Sequence, residues 1–164
     1  MDMNATVTKR TTMVDRLKRL FGIPGHALQA AALPWRVSGK NVEILMVTSR
    51  GTGRWVLPKG WPKRKEFRHE AAAREAREEA GLRGNVSPVE AGRYFYEKAY
   101  DDRDDRLCEV KVFPIEVEDL ASDWAEKGQR QRRWMKSEEA AAAVDEPDLA
   151  ELINSFGKRA SQAA

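Results

Sequence analysis

Residues 60–82 read GWPKRKEFRHEAAAREAREEAGL and contain the strongest pattern in the sequence. The second half of this stretch is rich in alanine and free of interior glycine and proline, which predicts a helix with Gly81 as a left-handed C-cap. Because each residue turns a helix by about 100°, carboxylates at positions i, i+3 and i+4 share one face. These carboxylates belong to Glu75, Glu78 and Glu79. The adjacent stripe of small residues predicts close packing on a sheet and consists of Ala72, Ala76 and Ala80.

Carboxylates crowded on one helix face repel each other unless a positive group lies among them. Carboxylate oxygen suits hard cations such as magnesium, manganese or calcium, whereas imidazole and thiolate groups suit zinc. Arg74 precedes Glu78 by one helical turn and is placed to pair with it. The helix face therefore predicts a metal site, and the alternative is a solvated acidic surface.

The spacing of the whole stretch carries a family resemblance. The pattern is Gly, five residues, Glu, seven residues, then Arg-Glu-apolar-x-Glu-Glu-x-Gly-apolar, and it is met at Gly60, Glu66, Arg74, Glu75, Ala76, Glu78, Glu79, Gly81 and Leu82. This pattern resembles the Nudix box. The resemblance implies a Nudix hydrolase, which uses magnesium or manganese to cleave a diphosphate that is linked to a further group.

The resemblance also implies roles for individual residues. Metal ligands would be Glu75, Glu79 and the backbone carbonyl of Gly60, and Glu78 would either complete this set or orient and deprotonate the attacking water. Because the general base varies within the family, both Glu78 and Glu75 are candidate catalytic residues. The residues of the box with structural roles would be Glu66, Arg74 and Gly81.

Basic residues dominate the segment that leads into this helix. Between Arg50 and Arg68 the acid Glu66 stands among the basic residues Arg50, Arg54, Lys59, Lys63, Arg64, Lys65 and Arg68. This charge predicts a pocket for a substrate with many phosphates beside the metal site, and the alternative is a solubilising loop.

The segments flanking the box resemble the diphosphoinositol polyphosphate phosphohydrolase branch of the family. The similar segments are SRGTGRWVLPKG at 49–60 and EDLASDWAEKGQRQRRWMKSEEAAAAV at 118–144. The match implies a substrate that is a polyphosphorylated small molecule. The residues that would bind its phosphates are Ser49, Arg50, Lys59 and Arg130.

One departure from that branch leaves the substrate open. Where the branch has a run of glycines, this chain has Lys59-Gly60-Trp61, and a Pro-Lys-Gly entry also occurs in diadenosine polyphosphate hydrolases and RNA 5′-pyrophosphohydrolases. Diphosphoinositol polyphosphate ranks first and diadenosine polyphosphate second. RNA ranks below both because no large basic and aromatic platform is present. A non-catalytic Nudix module that binds a ligand is the alternative from another class, but it would be expected to have lost box carboxylates.

The composition is that of a soluble globular domain, with 41% apolar and 34% charged residues among 164 and a net charge of +3. No apolar run approaches the length of a membrane span, and the N-terminus carries no secretory signal. We therefore expect a cytoplasmic protein without membrane contact, either a monomer or a homodimer. The single Cys108 excludes an internal disulfide.

The order of elements predicts an α/β (α+β) fold in which a mixed sheet lies between helices, and the resemblance specifies the Nudix fold. Residues 1–25 are expected to form a tail and a short amphipathic helix, residues 26–157 the Nudix domain, and residues 158–164 a frayed tail. Between predicted strands at 85–96 and 107–116, residues 97–106 are expected to form a charged loop. The remaining predicted elements are strands at 27–37, 42–48 and 55–57 and helices at 137–144 and 147–156.

Overall fold

The computed structural model describes the backbone of residues 27–100 and 103–163 and the side chains of residues 27–97 and 107–163. The N-terminal helix expected before residue 26 lies outside the described residues. The strands are β1 (Ala27–Ser38), β2 (Asn41–Thr48), β3 (Trp55–Val56), β4 (Lys59–Gly60), β5 (Leu82–Val86), β6 (Gly92–Tyr100), β7 (Arg103–Leu120) and β8 (Arg132–Lys136). The helices are α1 (Arg68–Ala80), α2 (Ser137–Ala143) and α3 (Pro147–Ala163).

The strands form one mixed sheet. β1 pairs in parallel with β7 along one edge and antiparallel with β4 and β2 along the other. The remaining pairs are antiparallel, with β3 and β8 on β2 and with β5 and β6 on β7. The short strand β4 is thereby fixed beside the centre of β1, where Gly60 faces Ala30 and Lys59 faces Ala31.

Helices cover both faces of this sheet, so the predicted α/β sandwich is confirmed. Alternate residues of β1 point to opposite faces. Ala30 and Ala32 pack in the same apolar cluster as the buried alanines of α1. Ala31 and Leu33 pack in a second cluster that contains residues of α2 and α3. The predicted stripe of small residues lets α1 lie close to the sheet, because its members are all fully buried: Ala72, Ala76 and Ala80.

Two predicted elements between α1 and β8 differ from the structure. The single strand expected over residues 85–96 is two strands, β5 and β6, because Ser87 forms a turn in which its hydroxyl donates to the Val89 carbonyl. The loop expected over residues 97–106 is largely hairpin, since β6 continues to Tyr100 and β7 begins at Arg103. The side chains of residues 98–106 lie outside the described residues.

The last helix is longer than predicted. We expected it to end at Phe156 before a tail, but α3 continues through Gly157 to Ala163. Gly157 does not end the helix because it is a packing residue, and a Cβ at this position would collide with the buried side chain of Ser137 in α2. The absence of a side chain therefore allows α2 and α3 to approach closely.

Candidate active site

Both ends of α1 are fixed by the segments around it. At the N-terminal end, the Glu70 carboxylate accepts a hydrogen bond of 3.2 Å from the backbone N–H of Phe67. At the C-terminal end, Gly81 adopts the predicted left-handed conformation with φ of 64° and its N–H donates to the Arg77 carbonyl. A Cβ on Gly81 would stand 2.8 Å from Trp124, so close packing also requires glycine here.

The unpaired carbonyls of the last turn of α1 are satisfied by the segment between β7 and β8 and by the first residue of β8. The indole N–H of Trp124 donates to the Glu79 carbonyl at 3.1 Å, and Arg132 donates to the Ala80 carbonyl at 2.7 Å. The backbone N–H of Glu126 donates to the Glu78 carbonyl at 3.2 Å. These bonds fix the turn that carries two of the box carboxylates.

Arg74 organises the first half of the box. Its Nε donates to Glu66 at 2.9 Å, and its Nη1 donates to Glu75 at 2.6 Å and reaches Glu78 at 3.4 Å. Its Nη2 donates to the Trp61 carbonyl at 3.0 Å. The hydrogen bond from Arg74 lowers the pKa of Glu66, and Glu66 in turn accepts from the Lys63 N–H. The Arg74 guanidinium thus connects α1 to the preceding loop through its contacts with Glu66 and the Trp61 carbonyl.

Gly60 lies directly against the Glu75 carboxylate. A Cβ at Gly60 would collide with all the terminal atoms of the Glu75 side chain. The missing side chain therefore leaves space in which an acidic group meets the backbone of β4. From the sequence, glycine at position 60 is expected only because of the resemblance to the Nudix box. The structure shows why a larger residue would not fit there.

Glu79 is the most deeply enclosed of the box carboxylates, with 7% of its surface exposed. One oxygen accepts from Arg130 at 2.8 Å, and the other accepts from the Lys59 backbone N–H at 3.2 Å. Burial raises the pKa of the Glu79 carboxyl to about 7, although the charges of Arg130 and Lys59 act in the opposite direction. Ionisation of the Glu79 carboxyl therefore costs free energy, and nearby positive charge lowers that cost.

Lys59 presents its side chain to the opposite face of the sheet from α1. Its ammonium lies 4.9 Å from the ring centre of Tyr96, whose hydroxyl donates to Gln29 at 2.6 Å. Burial lowers the pKa of Lys59, with Glu79 opposing that shift. The half-buried Lys59 and the buried carboxylate of Glu79 thus flank the same short strand.

The other predicted phosphate ligands meet in a separate cleft of about 420 Å³. Ser49 and Arg50 enter it from the loop after β2, and Arg130 enters from the segment before β8. The complete lining consists of Thr48, Ser49, Arg50, Gly53, Lys127, Gly128, Gln129, Arg130 and Gln131. The structure thereby brings together Ser49, Arg50 and Arg130, whereas Lys59 does not line this cleft and its ammonium lies beside Tyr96.

The donors around β4 suit a hard divalent cation. Glu75 and Glu79 are one helical turn apart and both contact the Lys59–Gly60 backbone, and all their donor atoms are oxygen. Among the described residues no group of three or more His, Cys, Asp or Glu side chains is arranged as a metal site. Glu78 instead extends toward Arg74 and is 41% exposed on its side chain. The residues therefore fit a cation held by two carboxylates and backbone oxygen.

Residues 25–156 match the sequence model of the NUDIX domain. The chain belongs to the NUDIX domain family. It is 31% identical over 147 residues to Nudix hydrolase 16, mitochondrial, of Arabidopsis thaliana, covering 82% of each chain. It is 32% identical over 124 residues to diphosphoinositol polyphosphate phosphohydrolase 3-alpha of Mus musculus, covering 74% of this chain and 71% of the relative. The family resemblance seen in the sequence is thus confirmed.

Solved structures show the same fold. An Ap4A hydrolase binary complex from C. elegans superposes with a TM-score of 0.61 at 20% identity, covering 83% of this chain and 98% of that one. At this identity the likeness concerns the Nudix fold alone. No described helix of the present chain is long and apolar enough to cross a membrane.

The buried Glu79 makes stability depend on pH. Because its pKa is about 7 in the folded chain and 4.5 in the reference state, its protonated form favours folding. That contribution is present below about pH 4.5 and is lost as the pH rises to about 7. In metal-free buffer we expect the melting temperature of the unsubstituted protein to fall relative to that of Glu79→Gln by about 10 °C across this window, or roughly 3 kcal/mol.

Thermal unfolding followed by circular dichroism in EDTA, from pH 4.5 to pH 8, measures this difference. Glu43→Gln is the control, because Glu43 is also a carboxylate paired with an arginine, Arg36, at 2.7 Å. Parallel pH profiles for the unsubstituted chain and Glu79→Gln would show that burial does not raise this pKa.

Proposed function

We propose that this Nudix family member is a metal-dependent pyrophosphohydrolase that cleaves a phosphoanhydride bond in a highly phosphorylated small molecule. The observation that carries the proposal is the convergence of Glu75 and Glu79 on β4, close to a cleft that contains Arg50 and Arg130. Arg130 connects the carboxylates at β4 with the cleft, since it lines the cleft and forms an ion pair with Glu79.

Glu75, Glu79 and the carbonyl of Gly60 would hold Mg²⁺ or Mn²⁺, with Glu78 as a further ligand or as the base. A bound divalent cation supplies the positive charge that a phosphoanhydride needs before a nucleophile can approach it. The protein's own part is to keep these carboxylates in place, which Arg74 does for Glu75.

Glu78 is the better placed of the two candidate bases. Its side chain is 41% exposed, so it can meet a water molecule, whereas Glu75 is enclosed between Arg74 and Gly60. Glu78 would orient that water and accept its proton as the new phosphorus–oxygen bond forms and the phosphoanhydride bond breaks, with the bridging oxygen leaving on the departing phosphate. The backbone bond to Glu126 and the reach of Arg74 would hold Glu78 at the edge of the site.

The substrate we favour is a diphosphoinositol polyphosphate. The Mus musculus relative carries that substrate in its name, and the cleft offers Ser49, Arg50 and Lys127 beside Arg130. Arginine suits phosphate because its planar fork makes charge-assisted, two-pronged hydrogen bonds.

A dinucleoside polyphosphate is the second candidate. Trp61 follows Gly60 directly and is 41% exposed, so its ring can stack on a nucleobase near the reacting phosphates. A cytoplasmic location and a monomeric or homodimeric state remain predictions from the sequence.

Removal of one carboxylate charge tests the reaction. Glu79→Gln keeps the shape of the side chain but removes the charge that a cation needs, so hydrolysis should fall by about two orders of magnitude or more, about 3 kcal/mol. Phosphate release and product identification, with Mg²⁺, Mn²⁺ or chelator, measure this loss, and Glu43→Gln should retain activity. Turnover that survives both chelator and Glu79→Gln would remove the metal from the mechanism.

Removal of an exposed arginine tests the substrate. Arg50→Gln should raise KM for a diphosphoinositol polyphosphate by about tenfold and KM for a diadenosine polyphosphate by less, because the compact substrate presents more phosphates to the cleft. Arg50 suits this test since its side chain is 59% exposed, whereas Arg130 is 8% exposed and supports Glu79. The preference would be wrong if nucleoside triphosphates had the highest kcat/KM or if every substrate weakened equally.

A further inference from the structure

Glu126 links the box helix to the phosphate cleft. Its backbone N–H donates to the Glu78 carbonyl at 3.2 Å, and its own carbonyl accepts from the N–H groups of Gln129 at 2.9 Å and Arg130 at 3.1 Å. The turn that carries Arg130 is therefore built on Glu126 and anchored to the last turn of α1.

The side chain of Glu126 lies between the two arginines of the cleft. One carboxylate oxygen accepts from Arg130 Nε at 2.6 Å, and the other lies 3.3 Å from Arg50 Nη1. The carboxylate is mostly buried, and so is the Arg130 guanidinium. Two guanidinium groups that converge on one cleft repel each other, and a carboxylate between them offsets that repulsion.

Each Nη atom of Arg130 also donates one hydrogen bond, which leaves two of its five side-chain N–H groups for phosphate. Its Nη1 donates to the Thr48 carbonyl at 3.0 Å, and its Nη2 donates to Glu79 at 2.8 Å. Arg50 has fewer constraints, since it is 59% exposed and, besides its ion pair with Glu126, donates one long hydrogen bond of 3.3 Å to Gln129. Glu126 is thus a contact that both arginines share.

We infer that Glu126 is a positioning residue that holds Arg50 and Arg130 together as a phosphate-binding pair. The inference rests on the proposed function, in which these two arginines bind the polyphosphate. Glu126 acts through the arginines and makes no contact with the phosphate itself, which its negative charge would repel.

Whether Glu126→Gln strengthens or weakens polyphosphate binding distinguishes a positioning role of Glu126 from a purely electrostatic one. If Glu126 contributed its charge alone, Glu126→Gln would remove a repulsive group and a polyphosphate would bind more tightly. If Glu126 orients the arginines, the same substitution releases both guanidinium groups and binding becomes weaker. Glu126→Asp keeps the charge but shortens the side chain, so a positioning role predicts weaker binding for this variant as well.

Calorimetric titration with inorganic tripolyphosphate in EDTA tests the inference without hydrolysis. We expect Glu126→Gln to weaken binding by about tenfold, Glu126→Asp to weaken it in the same direction, and Glu43→Gln to leave it unchanged. In an Arg50→Gln background the effect of Glu126→Gln should be smaller, because one of the two arginines is already absent. Circular dichroism spectra and melting temperatures establish that each variant is folded.

Equal or tighter binding by folded Glu126→Gln would overturn the inference, as would an undiminished effect in the Arg50→Gln background or no binding by the unsubstituted chain. The same experiments test the proposed function separately from the positioning role. If no substrate is hydrolysed but tripolyphosphate binding still depends on Glu126, the positioning role stands without the reaction. If hydrolysis occurs and binding does not respond to Glu126, the positioning role alone is wrong.

Discussion

The guanidinium of Arg74 is the contact on which the candidate site depends. It bonds to Glu66 and the Trp61 carbonyl before the helix and to Glu75 and Glu78 on the helix itself. Without a positive group here, neighbouring carboxylates on one helix face would repel each other and turn toward solvent. Because Arg74 is mostly buried, its hydrogen bonds are little weakened by water. The same contact stabilises the loop and orients Glu75 toward Gly60.

A second network extends from Glu79 toward the protein surface. Glu79 is bonded to Arg130, Arg130 to Glu126, and Glu126 faces Arg50, so that negative and positive groups alternate between β4 and the cleft. Burying charges is unfavourable unless each has a partner, and this alternation provides one at every step. It also connects a candidate metal ligand with the candidate phosphate ligands through direct contacts. Loss of Arg130 should therefore disturb both functions, because it contacts Glu79 directly. Arg50 lies at the exposed end of the network and contacts Glu126, so its substitution is more informative about phosphate binding.

The parts of this site that follow from local spacing could be predicted from the sequence. The period of a helix places Glu75, Glu78 and Glu79 on one face, and it places small residues against the sheet. The role of Glu126 could not be predicted, because its contacts depend on how the segment before β8 returns to α1 and Arg50. The division of residues 85–96 into β5 and β6 has a local signal, since Ser87 and Pro88 are typical turn residues. The length of α3 has no local signal. Glycine is typical of a helix end, and the close contact of Gly157 with Ser137 depends on the tertiary structure.

In the proposed function, Glu75 and Glu79 together hold a divalent cation against the Lys59–Gly60 strand. Titration of the full chain with Mn²⁺, followed by the electron paramagnetic resonance signal of the free ion, measures this directly at neutral pH. We expect Mn²⁺ affinity to be retained in Glu43→Gln and weakened by about tenfold or more in both Glu75→Gln and Glu79→Gln, with each variant folded. Unchanged Mn²⁺ affinity in the two folded box variants would contradict this proposal.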